Sequence, residues 1–233
     1  MSVVSNSFGG SETSNEAVRY DSTFTTPSGH IGVTFFASTG DSGGAVLYPA
    51  ESPNVVAVGG TQLTVSGNSW SSETAWSSGG GGTSAYEPQP SYQAGTITSS
   101  NRENPDVSIA GGQNSGASNS YVPVCDTWDY GTGTGWIGLE GTSWSSPITA
   151  AIVAVADQGR VAEGLISLKS TQTLTRLYQM APANFHDITT GSNGHAAVTG
   201  YDEATGIGTP IANILVPQSC GDRDHHRKTL CGR

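Results

Sequence analysis

Two residues stand where their type and surroundings suit chemistry. Ser143 follows Gly141 and Thr142, at the point where loop-forming residues give way to the apolar run Pro147–Ala156. A serine in the first turn of a helix faces unpaired N–H groups and the positive end of the helix dipole. Both favour the negative charge that builds up during acyl transfer. The small residues before it let a substrate backbone come close. The same position suits a serine that merely caps the helix, and the seven residues Gly141–Pro147 alone do not choose between the two. Asp41 lies in the loop Ser38-Thr-Gly-Asp-Ser-Gly-Gly44, directly after the apolar run Ile31–Ala37. Ligand sites of parallel α/β sheets lie at such C-terminal strand ends, although a single aspartate among Gly and Ser reads first as a turn residue.

The elements needed to position these residues are visible as hydrophobic patterning. Ser2–Ser5 is short and apolar before Gly9-Gly10, as a buried strand would be, and Ser11–Tyr20 has the caps and charge spacing of a helix. Ile31–Ala37 and Val55–Val58 are continuous apolar runs of the kind that form buried parallel strands. Pro105–Ala110 is a small apolar island between Trp70–Tyr92 and Ser115–Gly135, both rich in loop-forming residues and both read as loops. Pro147–Ala156 is apolar on nearly every face, which predicts a central buried helix, and Leu165–Met180 predicts an ordinary amphipathic one. Alternation of strand and helix gives an α/β fold, a parallel sheet with helices on both faces, and no internal repeat is present.

Composition narrows the partners. The 233 residues carry a net charge of −10, which argues against nucleic acid, because phosphate contacts need Lys and Arg. Only 12% of residues are charged, which suits a protein working in acid, where few carboxylates then need to stay paired. No stretch is apolar for long enough to span a membrane. Cys125, Cys220 and Cys231 form neither a metal cluster nor a disulfide framework; Cys220 could pair with Cys231, or Cys125 with a cysteine outside these residues. From Gln218 onward the character changes: Arg223, Arg227, Lys228 and Arg233 are four of the chain's nine basic residues. The expected division is a domain over 1–217 and a disordered or aberrant tail over 218–233. The opening at Met1-Ser-Val-Val-Ser reads as core strand, so an N-terminal part of the domain is expected to be missing.

Six motifs occur in one order. They are Val3-Val-Ser-Asn-Ser-Phe-Gly-Gly, Ala37-Ser-Thr-Gly-Asp-Ser-Gly, Val56-Ala-Val-Gly-Gly-Thr, Pro105-Asp-Val-Ser, Gly141-Thr-Ser-x-x-x-Pro and Thr199-Gly-Tyr-Asp-x-x-Thr-Gly-Ile-Gly-Thr-Pro210. In that order the chain resembles the sedolisin family of serine-carboxyl peptidases from Val3 to about Ile214. The resemblance implies a subtilisin-like fold, hydrolysis of peptide bonds in acid, Ser143 as nucleophile and Asp41 in the oxyanion hole. A carboxylate only accepts hydrogen bonds, so an aspartate in that role works protonated, and an acidic medium follows from it. Ordinary subtilisins have Asn there, and the His-Gly-Thr motif of that kind is absent, so His30, His186 and His195 read as surface or turn residues.

The family's base is a Glu, supported by an Asp one helical turn on, placed before the Val3-Val-Ser strand, and these residues do not contain that pair. Glu12, Glu16 and Asp21 follow the strand and read as a solvated helix face. The resemblance also implies a Ca²⁺ site of Asp187, Ile188, Val198, Gly200 and Asp202, two carboxylates completed by backbone carbonyls, with Val198 where the family usually has Gly. It implies, further, a secreted monomer acting on protein or peptide substrates. The isolated chain is expected to fold marginally and to be nearly inactive. The alternative is a non-catalytic remnant that binds peptides or serves as a structural domain.

Overall fold

The computed structural model describes residues 1–113, 122–129 and 135–220. In chain order these form β1 (Val3–Asn6), β2 (Gly10–Ser11), α1 (Glu16–Arg19), β3 (Thr34–Ser38), β4 (Leu47–Tyr48), β5 (Val55–Ser66) and β6 (Ser69–Ala75). There follow β7 (Gly82–Pro88), β8 (Asn101–Asn104), β9 (Val107–Ala110), β10 (Val122–Cys125) and β11 (Trp136–Leu139). The last elements are α2 (Thr142–Ala162), α3 (Ser170–Gln179), β12 (Phe185–His186), β13 (Thr209–Pro210) and α4 (Ala212–Cys220).

The apolar runs become the sheet. All of β3 and the first half of β5 are buried, as expected of strands covered on both faces. β1, β3, β5 and β9 lie parallel in that order, with Val4 opposite Phe35, Phe36 opposite Val56 and Val58 opposite Val107. Because side chains alternate along a strand, Phe36, Val56, Val58 and Val107 share one face. There they pack on Ala150 and Val153 of α2, Leu174 and Leu177 of α3, and Leu215 of α4. Phe35, Ala37, Val55 and Ala57 point the other way, onto Val33, Ala50 and Phe24. The result is a parallel sheet flanked by helices, the subtilisin-like α/β arrangement.

Several local expectations change. Trp70–Tyr92 is not all loop: β6 pairs antiparallel with the far half of β5 across the Gly67-Asn68 turn, and β7 pairs with β8. These strands are held by backbone pairing while most of their side chains face water, so they carry no apolar signal. Within Ser115–Gly135, β10 pairs with β11; residues 114–121 and 130–134 lie outside the described ones. Ser11–Tyr20 yields only the single turn α1, because Gly10–Ser11 is drawn into pairing with Leu47–Tyr48.

The amphipathic helix starts at Ser170 rather than Leu165, since the segment before it is tied to α2. Asp157 accepts the Leu168 N–H at 2.9 Å, and Arg160 Nε donates to the Ile166 carbonyl at 2.9 Å. α2 is buried on one side only: Val155 and Val161 are each more than half exposed, at 53% and 55%. α4 continues through Pro217 to Cys220, and 221–233 lie outside the described residues. Cys125 is a free, exposed thiol.

Candidate active site

The start of α2 lies across the C-terminal ends of the parallel strands. The Gly141 N–H donates to the Gly111 carbonyl at 2.6 Å just beyond β9. The buried Ser145 hydroxyl sits 3.3 Å from the carbonyls of Ile109 and Ala110. Ser146 Oγ meets Ser5 Oγ of β1 at 2.8 Å. Ser145 and Ser146 therefore anchor the turn, and Ser143 is left exposed.

Pro147 explains the spacing of the motif. In a helix its N–H would bond the carbonyl four residues back, that of Ser143, but proline has none. That carbonyl instead receives the Ser7 hydroxyl at 2.7 Å, from the segment leaving β1. The proline thus exchanges a helix bond for one that ties the Ser143 backbone to the loop after β1.

Asp41 comes from the loop after β3. Its Oδ1 accepts the Thr142 N–H at 2.7 Å and the Thr142 hydroxyl at 2.8 Å, while that hydroxyl accepts the Gly40 N–H at 3.0 Å. The carboxyl therefore caps the positive end of a 21-residue helix, one residue ahead of Ser143. Gly141 has φ +133°, and a Cβ there would lie 2.9 Å from Asp41 Oδ2, so glycine is required for the carboxyl to approach. The Gly79–Gly82 run lies along the same loop: the Gly80 N–H donates to the Gly40 carbonyl at 2.8 Å, and a Cβ on Gly80 would stand 2.0 Å from the Thr39 carbonyl. The structure thus brings Asp41, Thr142 and Ser143 together with a flat glycine backbone beside them.

Glu12, Glu16 and Asp21 bond elsewhere. Glu12 accepts from the Ser84 hydroxyl and from the Ala85 N–H at 3.1 Å, and Asp21 accepts from the Tyr48 hydroxyl at 2.9 Å. Glu16 is not on a solvated face; it is 1% exposed, with Oε2 accepting the Thr13 N–H at 2.7 Å. Glu51 and Glu87 are buried too, and the Glu16 charge acts on both. Sequence patterning read Glu12, Glu16 and Asp21 as solvated, and it did not single out Glu51, Glu87, Ser7 or Thr142. Only the two residues flanking the site carried a local signal, through the motifs that contain them.

In the loops before α4, the Gly200 N–H lies 3.1 and 3.2 Å from the two oxygens of Asp187. Asp202 Oδ2 accepts the Val198 N–H at 2.9 Å, and Oδ1 accepts the N–H groups of Ala204 and Thr205 at 3.0 and 2.8 Å. Burial raises the Asp202 carboxyl above its ordinary range, against the pull of the Val198, Thr205 and Ala204 N–H groups. Ile188 is 1% exposed, so it can offer a cation only its carbonyl. Among the described residues no three or more His, Cys, Asp or Glu side chains gather as a metal cluster, and no helix is long and apolar enough to cross a membrane. His195 Nδ1 pairs with Glu203 at 2.8 Å and His186 stacks on Trp70 at 4.0 Å, so neither is an idle surface residue.

The subtilase family model matches residues 1–207. Kumamolisin of Bacillus sp. (strain MN-32) is 34% identical over 216 residues, covering 80% of this chain and 36% of kumamolisin. Xanthomonalisin of Xanthomonas sp. (strain T-22) is 31% identical over 238 residues, covering 83% of this chain and 27% of that protein. The chain thus spans about a third of the length of these curated relatives. The solved Pseudomonas sedolisin, a serine-carboxyl proteinase complexed with two molecules of pseudo-iodotyrostatin, superposes with a TM-score of 0.74 at 27% identity. That match covers 92% of this chain and 64% of sedolisin. The chain belongs to the subtilase family, within its sedolisin-like branch.

Proposed function

We propose that the chain is part of the catalytic domain of a secreted serine-carboxyl endopeptidase that hydrolyses peptide bonds of proteins in acid. The observation that carries the reading is the Asp41 carboxyl capping α2 through Thr142, with Ser143 next in line and exposed. Ser143 Oγ attacks the scissile carbonyl, and the developing oxyanion is stabilised by the helix N-terminus and by Asp41. Asp41 Oδ1 is occupied as an acceptor, so Oδ2 is the oxygen that would carry the donated proton. The serine proton goes to a Glu of a Glu-x-x-x-Asp helix, which these 233 residues do not contain.

The test is to join the chain to its own upstream coding sequence and follow digestion of a denatured protein at about pH 4. Cleavage that Ser143→Ala lowers by about 10⁴-fold or more supports the reading. If the parent digests nothing, or the variant digests equally well, the alternative of a non-catalytic peptide-binding domain takes its place.

Ca²⁺ is proposed at Asp187 and Asp202, with the carbonyls of Ile188, Val198 and Gly200 completing a hard oxygen set. The Gly200–Asp187 and Val198–Asp202 bonds support this, because they fold the 198–202 loop onto both carboxylates. Such an ion would neutralise the two carboxylates and lock the C-terminal loops, with no part in the bond-breaking step. A melting temperature that rises with millimolar Ca²⁺, and no longer does so in Asp187→Ala, is the expected result.

A further inference from the structure

Beside the nucleophile lies a cavity of about 390 Å³ that the proposed reaction does not use. Ser7, bonded to the Ser143 carbonyl, leads directly into Phe8, Gly9 and Gly10, which line it. The walls are aromatic. Tyr48 stands with its ring 6.1 Å from Tyr20 and 6.0 Å from Phe24, and Phe8 and Tyr20 at the rim are 67% and 48% exposed. No Lys, Arg or His lines the cavity; its one ionisable acid is Glu16. That side chain is 1% exposed, and its Oε1 has no hydrogen-bond partner, while Oε2 is satisfied by Thr13.

A buried carboxyl oxygen without a donor is costly, and the nearby charges add to the cost. Glu12 and Asp21 act on Glu16, and Glu51 and Glu87 are coupled to it. The cation in this group, Arg102, is already committed to Asp106 at 2.8 Å. A ligand that fits must bring a flat or slender stem for the rings and a positive, donor-rich end for the carboxyl. Aromatic faces and a carboxylate are the surroundings that suit a guanidinium, which is planar and weakly hydrated.

We propose that this cavity binds an arginine side chain of the peptide substrate, close to the bond Ser143 attacks, with Glu16 as its counter-charge. The proposal deepens the peptidase reading and rests on it for the word substrate, but the binding itself needs no catalysis. Burial first, then the Glu12 and Asp21 charges, hold the Glu16 carboxyl above its ordinary range, while the Thr13 N–H pulls it down. Glu16 is therefore partly neutral in acid, and the preference for arginine over an uncharged side chain widens as pH rises.

The experiment is calorimetric titration of the protein, expressed with its own upstream coding sequence, with acetyl-Ala-Arg-amide and acetyl-Ala-norleucine-amide. The arginine peptide is expected to bind about ten-fold more tightly. Glu16→Gln should remove most of that difference and leave the norleucine peptide within about two-fold. Ser143→Ala should leave both affinities unchanged, so loss of peptidase activity and loss of arginine binding are separate results. Equal affinity for the two peptides overturns the proposal, as does a folded Glu16→Gln variant that keeps the full preference. Should Glu16→Gln fail to fold, Tyr20→Ala decides the matter, because Tyr20 is half exposed: a preserved preference there overturns the proposal and a reduced one supports it.

Discussion

Carboxyl groups are handled in opposite ways at two places only a short distance apart in the fold. At the start of α2, Asp41 accepts two bonds from Thr142 and faces the positive end of a long helix. Behind β2 and β4, Glu16, Glu51 and Glu87 are buried, and each has one oxygen without a hydrogen-bond partner. Burial lifts Glu87 to about 7, aided by the Asp21 and Glu16 charges. It lifts Glu51 well above its ordinary range too, although Arg102 pulls the other way. The first region meets its carboxyl with hydrogen-bond donors; the second leaves carboxyl oxygens without them and tolerates its acids best when they are protonated. The lesson is that a protein can carry the pH dependence of its stability in packing away from its candidate site.

The largest effect expected comes from the counter-charge of the second region. Arg102 is wholly buried and donates to both oxygens of Asp106, which also accepts the Tyr178 hydroxyl and the Ala57 N–H. Asp106→Ala strands the guanidinium and should destabilise the fold by roughly 3–5 kcal/mol, read as a lower urea midpoint at unchanged slope. A loss under about 1 kcal/mol would mean that Arg102 finds the neighbouring glutamates instead, and that the two regions differ less than the geometry implies.

The next effect is one of pH. Glu16, Glu51 and Glu87 are held above their values in the unfolded chain, so the folded state binds these protons more tightly. The stabilisation is complete below about pH 4, where the unfolded carboxyls are also protonated, and is lost as pH rises through the folded values. The part carried by Glu87 goes near pH 7. Stability should therefore fall on going from acid to neutral by about 2 kcal/mol for Glu87 alone, which lowers the melting temperature on the order of 5 °C. Glu87→Gln should flatten the curve and raise stability at neutral pH while changing little in acid. A flat curve in the parent would remove the distinction between the two regions.

The region at the start of α2 was legible in the residues because its parts are short segments with fixed local demands. Gly141 must lack a side chain for Asp41 to approach, Pro147 must lack an N–H for Ser143 to accept from Ser7, and the apolar runs of β3 and β5 mark a buried parallel sheet. The carboxyl cluster was not legible. Glu12, Glu16, Asp21, Glu51 and Glu87 span 75 residues of chain in polar surroundings, and each taken alone resembles a solvated acid. They meet only because β2 pairs with β4 and because Glu12 reaches Ser84 and Ala85 of β7. The β6 and β7 strands were missed for a related reason: their order comes from backbone partners supplied by β5 and β8, and not from an apolar alternation of their own.

The smallest stability effect is expected at the start of α2 itself, from Asp41→Asn. The amide oxygen keeps the place of Oδ1 and still accepts both bonds from Thr142, and the amide nitrogen takes the Oδ2 position beside Gly141. Loss of the charge–dipole interaction is the main penalty, about 0.5 kcal/mol, so the melting temperature should shift by no more than roughly 2 °C. The functional consequence runs the other way. An amide donates to the oxyanion at every pH, whereas a carboxyl does so only when protonated. In the protein joined to its base, the upper limb of the pH–rate profile should therefore move toward neutral pH, as far as the base allows. An unmoved profile would show that Asp41 serves only to hold Thr142. A destabilisation above about 2 kcal/mol would show that the carboxylate is needed for folding, and the contrast with the buried glutamates would then collapse.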